Sequence, residues 1–493
     1  MNGRLEVAAA APAPERSLLD TIIDESRVAR SQVERDRARD LIGELAEQVI
    51  QGELVVSENL AASIDARIAE LDRLISTQLS DIMHAPAFQE LEASWAGLYY
   101  LVRQTETGVK IKIKLMNATT RELIKDFKAA IDFDQSVVFK KVYEEEFGTF
   151  GGAPFGALIG NFQLTRQPEE LYFLEQMGHV AAASHAPFIA AASPELFGLD
   201  SYTELGKPHD LAKIFDTVEY TKWKSFRMSE DARYVGLTLP RFLGRLPYNP
   251  EDGLVTEGFN FVEDVDGADH SRYLWCNAAF AFAARLTSAF ERHGWCAAIR
   301  GVEGGGLVED LPAHVFRTDE GELALKCPTE ISITDRREKE LSDLGFMPLV
   351  HCKNSDYAAF FGAQSVQKAR RYDTDAANAN ASLSAQMQYI FAVCRIAHYM
   401  KAMMREKIGS FASAANVERY LQRWIDQYVT ADDSASQETK AQFPLREASI
   451  EVSEVPGRPG VYRAVSFIRP HFQLDELSVS LRLVAELPQT SKI

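Results

Sequence analysis

The chain is 493 residues long with 46% hydrophobic and 25% charged residues, a balance that suits folded domains and excludes disordered, collagen-like and disulfide-scaffold classes. Its 71 acidic residues outnumber 53 basic ones, for a formal charge of -18, which argues against binding a nucleic-acid backbone or docking on an anionic membrane. Five scattered cysteines form no CxxC, and neither a secretory signal nor an 18-residue apolar run occurs, so a cytoplasmic protein without disulfides or structural zinc is expected.

Residues 1–15 form an Ala/Pro-rich leader. Ser17 with Asp20 reads as a helix start, and Leu18, Leu19, Ile22 and Ile23 make an apolar stripe at helical spacing. Two more helical stripes follow: Leu41, Ile42, Leu45, Val49 and Ile50, then Ile64, Ile68, Leu71, Ile75 and Leu79. Pro86 opens a helix with Phe88, Leu91, Trp95, Leu98 and Leu101 on one face.

From there strands and helices alternate. Residues 109–115 alternate apolar positions with Lys110, Lys112 and Lys114, which predicts a strand. Helices are expected at 119–130 and 135–147, closed by the glycine-rich stretch 148–152. Short strands are expected near 156–160, 187–191, 234–239 and 258–262, with helices near 168–184 and 208–231 between them. The stretch 273–291 is apolar nearly all round and predicts a buried helix. Strands near 295–300 and 347–351 flank a helix at 335–344. After residue 373 come a long helix, 376–408, a second, 414–429, a polar segment to residue 442, and three strands, 445–455, 460–469 and 477–487. The first two of these form a hairpin over Pro456 to Gly460. The fold class is α/β (α+β) and multi-domain: a helical leader over 1–60, a central α/β region over 61–372, and a β-rich C-terminal domain over 373–493.

The candidate chemistry is thin. Gly301 to Gly306 is a glycine-rich loop, but no Lys-Ser/Thr follows and no dinucleotide fingerprint is present, so a tight turn is the better reading. His351 and Cys352 are adjacent on a strand and point to opposite faces, so they do not make a nucleophile pair; Cys327 reads as a structural thiol. The acidic loop Glu263 to His270 lacks the glutamate a calcium loop needs. Glu144, Glu145 and Glu146, and the run Asp335 to Glu340 with Arg336 and Arg337, read as charged helix faces, solvated or meeting another subunit. No hydrolase, zinc-protease or kinase motif occurs, so no enzyme, cofactor or metal is expected, and an α/β enzyme or a monomeric adaptor is only the alternative. The stripe at Leu18 to Ile23 suits docking in a groove, or packing on its own domain; the alternating C-terminal strand suits pairing with another chain's sheet edge, or with its own sheet.

Long ordered segments carry a resemblance. They include LEASWAGLYYLV (91–102), FKKVYEEEFGTFGG (139–152), HAPFIAAASPELFGLDS (185–201), KIFDTVEYTKWKSFR (213–227), GWCAAIRGVEGGGLVEDLP (294–312), ALKCPTEISITDRREKELSDLGF (324–346) and the tail 443–488. From about residue 60 to 488 the chain resembles the large subunit of the type VI secretion contractile sheath, the TssC/VipB/ImpC/EvpB family. The resemblance implies a tail-sheath-like fold and a structural machine part. It pairs with a small sheath subunit (TssB/VipA), assembles with copies of itself around an Hcp tube on a baseplate, contracts, and is taken apart by the ClpV AAA+ ATPase. It also implies sites: Leu18, Leu19, Ile22 and Ile23 for ClpV; Asp432, Asp433, Glu438 and Lys440 facing the tube; Leu477, Val479, Leu481 and Leu483 for strand exchange. Glu144, Glu145, Glu146, Arg336, Arg337 and Glu340 become candidates for charge contacts between subunits.

Overall fold

The computed structural model describes residues 23, 31–51, 60–207, 210–251, 253–318, 320–410, 413–432, 434–457, 461–471 and 473. The chain divides into two compact units, Met1–Asp81 with Tyr248–Asp264, and Ile82–Pro247 with Val265–Ile493.

In the first unit, helix α1 (Gln32–Ile50) starts at a reciprocal cap. Ser31 Oγ accepts from Glu34 N at 3.3 Å, and Glu34 Oε2 accepts from Ser31 N at 3.0 Å, so two of the helix's orphan donors are satisfied. Helix α2 (Leu60–Met83) buries Ser76 and Ser80 rather than leucines on one side. Their hydroxyls accept from the backbone N–H groups of Val262 and Asp264 at 3.3 and 3.1 Å. The strand expected at 258–262 therefore does not form, because part of its hydrogen-bonding capacity is spent on a helix. Helix α2 also carries the unit well past residue 60, and the excursion 248–264 belongs to it.

The second unit begins with helix α3 (Pro86–Arg103) and helix α4 (Thr120–Ala129). A short helix α5 (Val137–Phe139) runs on into a π-helical stretch, Lys140–Phe147. The sheet then takes strands β1 (Leu158–Leu164), β2 (Phe188–Ala192) and β3 (Val235–Leu239), with helix α6 (Pro168–Ser184) crossing between the first two. Helices α7 (Leu211–Phe215) and α8 (Thr221–Met228) replace the single helix expected over 208–231. Strands β4 (Phe242–Leu243) and β5 (Trp275–Cys276) pair with each other, and helix α9 (Ala278–His293) follows. Strands β6 (Leu307–Val308), β7 (Val315–Arg317) and β8 (Leu323–Leu325), helix α10 (Asp335–Asp343), and strands β9 (Met347–His351) and β10 (Ala358–Phe360) complete the central region.

The main sheet has the order β1-β2-β3-β9-β10-β6. Its first four strands are parallel, and β10 is antiparallel to both β9 and β6. Both faces are covered, as parallel strands require. Strand alternation sorts the side chains: Phe188, Ala190, Val235 and Leu237 join a core with α4, α6 and α8, while Ile189, Met347 and Leu349 join a second core with α9. Helix α9 meets the sheet with alanines at 278, 279, 281, 283 and 284, so backbone approaches backbone closely.

A third core joins helices α12 (Met387–Glu406) and α13 (Ala414–Ile425) to the hairpin of β11 (Leu445–Glu454) and β12 (Tyr462–Pro470). The single helix expected over 376–408 is two, because helix α11 (Asp375–Leu383) stops before α12 begins. At the break Gln386 pairs with Gln364, and Ser365 N donates to Ala385 O at 2.9 Å. Helix α14 (Gln437–Gln442) lies within the polar segment that ends at residue 442.

Three more expectations are corrected. Residues 111–119 hold no regular structure: Ile111 is buried and Ile113 half-buried while the lysines stay out, but no strand of the described residues pairs with 109–115. Residues 295–300 form no strand, because the 301–306 loop takes the place beside β10: Gly301 N donates to Phe360 O, and Phe360 N to Gly306 O. The α3 face is split. Leu101 is buried and Leu98 half-buried, whereas Phe88, Leu91 and Trp95 are exposed, because Gly97 sets the contact side against Phe280 of α9.

Candidate assembly surfaces

Among the described residues no group of three or more His, Cys, Asp and Glu side chains is placed to hold a metal. Glu330 is the most deeply held carboxylate: Arg241 Nε and Nη2 donate to its two oxygens at 2.8 and 2.6 Å, and His270 Nε2 stands 3.4 Å away. Burial raises its pKa, but the Arg241 and His270 bonds win and hold it down at about 2. The pair ties the β4 segment to the 328–330 loop, where Leu243 N also donates to Pro328 O and Glu330 N to Arg241 O.

Cys327 is the one thiol drawn below its ordinary value: burial opposes this, and bonds to His351 and Thr329 outweigh it. His351 thus meets Cys327 and not its neighbour Cys352, which contacts Tyr357. The glycine loop is a turn packed on its own backbone, since a Cβ on Gly306 would come within 2.5 Å of Phe360 O. Neither feature forms an enclosed site. The clefts are small, one of about 180 Å³ being lined by Leu205, Lys207, Thr334 and Arg337.

The charge candidates separate into two groups. Arg337 Nη1 donates to Glu340 Oε2 at 2.6 Å and its Nη2 to Lys207 O, while Glu340 also accepts from Leu211 N at the start of α7. Glu146 is bound by Lys114 and by Ala153 N. These three side chains are spent inside the chain. Glu144, Glu145 and Arg336 are exposed and keep their reach outward.

Larger signals lie on the surface. Helix α2 exposes Ile64, Ile68, Leu71 and Ile75 at steps of four, three and four, with Ile82 two turns further on. Helix α3 exposes Phe88, Leu91, Trp95, Tyr99 and Val102, with Trp95 60% and Tyr99 64% accessible. Soluble single chains seldom leave such rows in water. Strand β1 ends the main sheet, so one of its backbone edges meets no strand among the described residues. The sequence pattern revealed apolar spacing in both helices but not which side the chain itself would cover. Nor did it signal the β1 edge or the Arg245–Glu92 pair, in which Arg245 Nε donates to Glu92 Oε1 at 2.6 Å.

In the C-terminal region, Asp432 holds Ser434 through its N–H and hydroxyl, Glu438 is exposed in the first turn of α14, and Lys440 is half-buried. Asp433 lies outside the described residues, as do Leu18, Leu19, Ile22, Leu477, Val479, Leu481 and Leu483. Ile23 is described and is buried, 4% exposed. The β12 strand turns Val465 and Phe467 outward and Tyr462, Ala464 and Ile468 toward the third core. No helix among the described residues is long and apolar enough to cross a membrane.

Residues 65–367 match the family model described as EvpB/VC_A0108, tail sheath N-terminal domain, and residues 376–487 match the EvpB/VC_A0108 tail sheath gpW/gp25-like domain. The type VI secretion system sheath protein TssC1 of Pseudomonas aeruginosa is 50% identical over 462 residues, 93% of this chain and 92% of that protein. Among solved structures, the baseplate of the anti-feeding prophage aligns with TM-score 0.35 and 10% identity over 64% of this chain and 66% of that chain. The contracted helical sheath of the same particle aligns with TM-score 0.26 and 11% identity over 76% of this chain and 99% of that chain. Both likenesses are too loose to bear on this chain's arrangement.

Proposed function

The chain belongs to the EvpB/VC_A0108 tail-sheath family, and from that membership we propose that it is the large subunit of a type VI secretion contractile sheath in the cytoplasm. It pairs with a small sheath subunit, stacks with copies of itself around an Hcp tube on a baseplate, and contracts to drive the tube outward. The carrying observation is the 50% identity to a sheath protein across 93% of the chain. Exposed apolar rows on α2 and α3 support it, because a part built to be buried in a lattice leaves such rows open when alone. The work is structural, not catalytic: energy is stored in the difference between two lattices.

Recycling by ClpV would use the helix with Leu18, Leu19, Ile22 and Ile23. The burial of Ile23 supports a grip that the folded subunit withholds until the lattice changes. Asp432, Asp433, Glu438 and Lys440 would face the tube, and Leu477, Val479, Leu481 and Leu483 would pair with a neighbouring subunit's sheet. Glu144, Glu145 and Arg336 are the charges left to act between subunits.

Negative-stain electron microscopy of the chain co-expressed with its small subunit tests the reading. Hollow ridged tubes of uniform width are expected. Discrete particles that persist after purified tube protein is added would overturn it. Replacing Leu18 and Ile22 by Asp should leave the tubes intact and abolish ClpV capture; capture unchanged would remove that helix from the scheme.

A further inference from the structure

The five thiols differ in what faces them. Cys276 and Cys394 are buried, with Cys276 Sγ 3.4 Å from Ala93 O. Cys296 Sγ lies 3.5 Å from Leu286 O, and Cys352 Sγ lies 3.4 Å from the Tyr357 hydroxyl. Among the described residues only Cys327, half-buried just after β8, bonds to an imidazole, that of His351 at the end of β9. The imidazole is itself oriented, its Nε2 standing 2.9 Å from Ser355 O. A carbonyl only accepts, so Nε2 carries a hydrogen and Nδ1 keeps its lone pair for the thiol. Thr329 Oγ1 flanks the sulfur at 3.2 Å and donates onward to Ile331 O at 2.9 Å.

The backbone on both sides of the thiol is pinned. Lys326 N donates to His314 O at 2.7 Å and Leu243 N to Pro328 O at 2.8 Å, so the sulfur is kept beside its base. Burial acts against charge on both groups. Their bond nevertheless lowers the pKa of the thiol and raises that of the imidazole, as in a pair that shares one proton. A nucleophile, a base and a third group that orients the base are the parts by which a protein activates a thiol.

We propose that Cys327 is a thiol–disulfide exchange site, which takes up a small disulfide from solution as a mixed disulfide with His351 as its base. The Cys327 sulfur gives its proton to His351 Nδ1 and attacks one sulfur of the small disulfide. A new S–S bond forms as the old one breaks, and half of the small disulfide leaves reduced as Cys327 is oxidised. The departing thiolate takes the proton back from the imidazolium. A disulfide suits the site better than a peroxide, because a sulfenic acid is resolved by a second thiol and Cys352 sits against Tyr357 instead. Every group belongs to one chain, so the site needs no assembly. The adduct stands in the segment that leads to Glu330, the carboxylate held by Arg241.

Incubation of the full chain with glutathione disulfide, followed by peptide mass spectrometry, tests this. The peptide with Cys327 should gain one glutathionyl group, at a rate that rises with pH through a midpoint below the ~8.5 of a free thiol. His351→Ala should slow the modification about fivefold or more near neutral pH and move the midpoint upward, because burial then has less to oppose it. His351→Gln, polar but without a base, should do the same. A side chain that merely shaped the site would change the rate at every pH alike. Buried Cys394 is the control, since a variant that unfolds would label there too. Cys352→Ser should leave modification of Cys327 unchanged. A wild-type midpoint at the free-thiol value, or one that neither His351 variant moves, overturns the proposal. An adduct confined to Cys352, or an internal Cys327–Cys352 disulfide in place of the adduct, overturns it as well.

Discussion

Arg241 grips Glu330 with two parallel donors, Nε to Oε2 at 2.8 Å and Nη2 to Oε1 at 2.6 Å, around a carboxylate whose side chain is 1% exposed. The Arg241 side chain is 31% exposed, so the positive partner's side chain reaches water while the carboxylate's hardly does. That asymmetry makes the arginine indispensable to the glutamate more than the reverse.

Glu330→Gln should therefore destabilise the second unit by about 3 kcal/mol, by leaving Arg241 half of its bidentate contact. Because the native carboxyl is held at about 2, below its ordinary 4.5, the stabilisation is full above pH 4.5 and is lost as the pH falls toward 2. Urea midpoints across that window should fall in the wild type and stay flatter in Glu330→Gln. Parallel curves would show that another carboxylate governs the acid limb.

His398 supplies a second acid-sensitive element of the same sign. Its Nε2–H donates to Ser184 O at 2.9 Å, and its pKa is pushed from 6.5 down to about 4, chiefly by burial and then by Arg395, His185 and Lys401, against the Ser184 bond. The neutral ring is favoured by folding, so stability is complete above pH 6.5 and declines as the pH falls through about 4. His398→Gln, which keeps a donor for Ser184, should reduce the slope of stability against pH between those limits. His185, also lowered by burial and by Lys401, should retain a smaller part of that slope.

Gly97 is the point of closest approach between α3 and α9. A Cβ there would come within 2.4 Å of the Phe280 ring, whose residue is only 6% exposed and has little room to move. Gly97→Val should cost about 2 kcal/mol or more by overpacking, measured by thermal or urea unfolding. Trp95→Ala on the exposed side of the same helix should change stability far less while weakening assembly.

The five thiols should label in an order set by exposure. Cys352 is exposed and should react first with a maleimide. Cys276 and Cys394 are buried and raised by that burial, Cys276 to about 12, so both should stay unlabelled until the chain unfolds; Cys296 is half-buried but also pushed up to about 12, so it should label slowly. Cys327 should come second, and His351→Ala should slow it further by removing the bond that favours its thiolate.

Much of the central architecture is legible in the sequence because periodicity reports which residues seek the interior. Strand β9 over 347–351 and helix α6 over 168–184 follow directly from it. What periodicity cannot report is the partner. Ile111 and Ile113 do turn inward from the lysines, yet their segment is not a strand, because a strand is defined by a neighbour and no strand among the described residues supplies one. The same applies to α3, where Phe88, Leu91 and Trp95 looked like core until Gly97 fixed the contact side. The break between α11 and α12 depends on Gln364 and Ser365, some twenty residues earlier, which no local pattern contains. The Arg241–Glu330 grip joins positions 89 residues apart and has no signature in either neighbourhood.

The alanine layer of α9 has a mechanical consequence. Alanine has no side-chain torsion to change, so where alanines carry the contact between α9 and the sheet it cannot creep by one rotamer slipping into another; Phe282, edge-on to Phe360 of β10 at 5.2 Å, is the rotatable exception. Pushed along its length, this layer behaves as a stiff plate with almost no internal damping. In the sheath proposed above, such plates would lose little of a stroke within themselves. Compliance would then fall to the exposed surfaces, among them the apolar rows of α2 and α3.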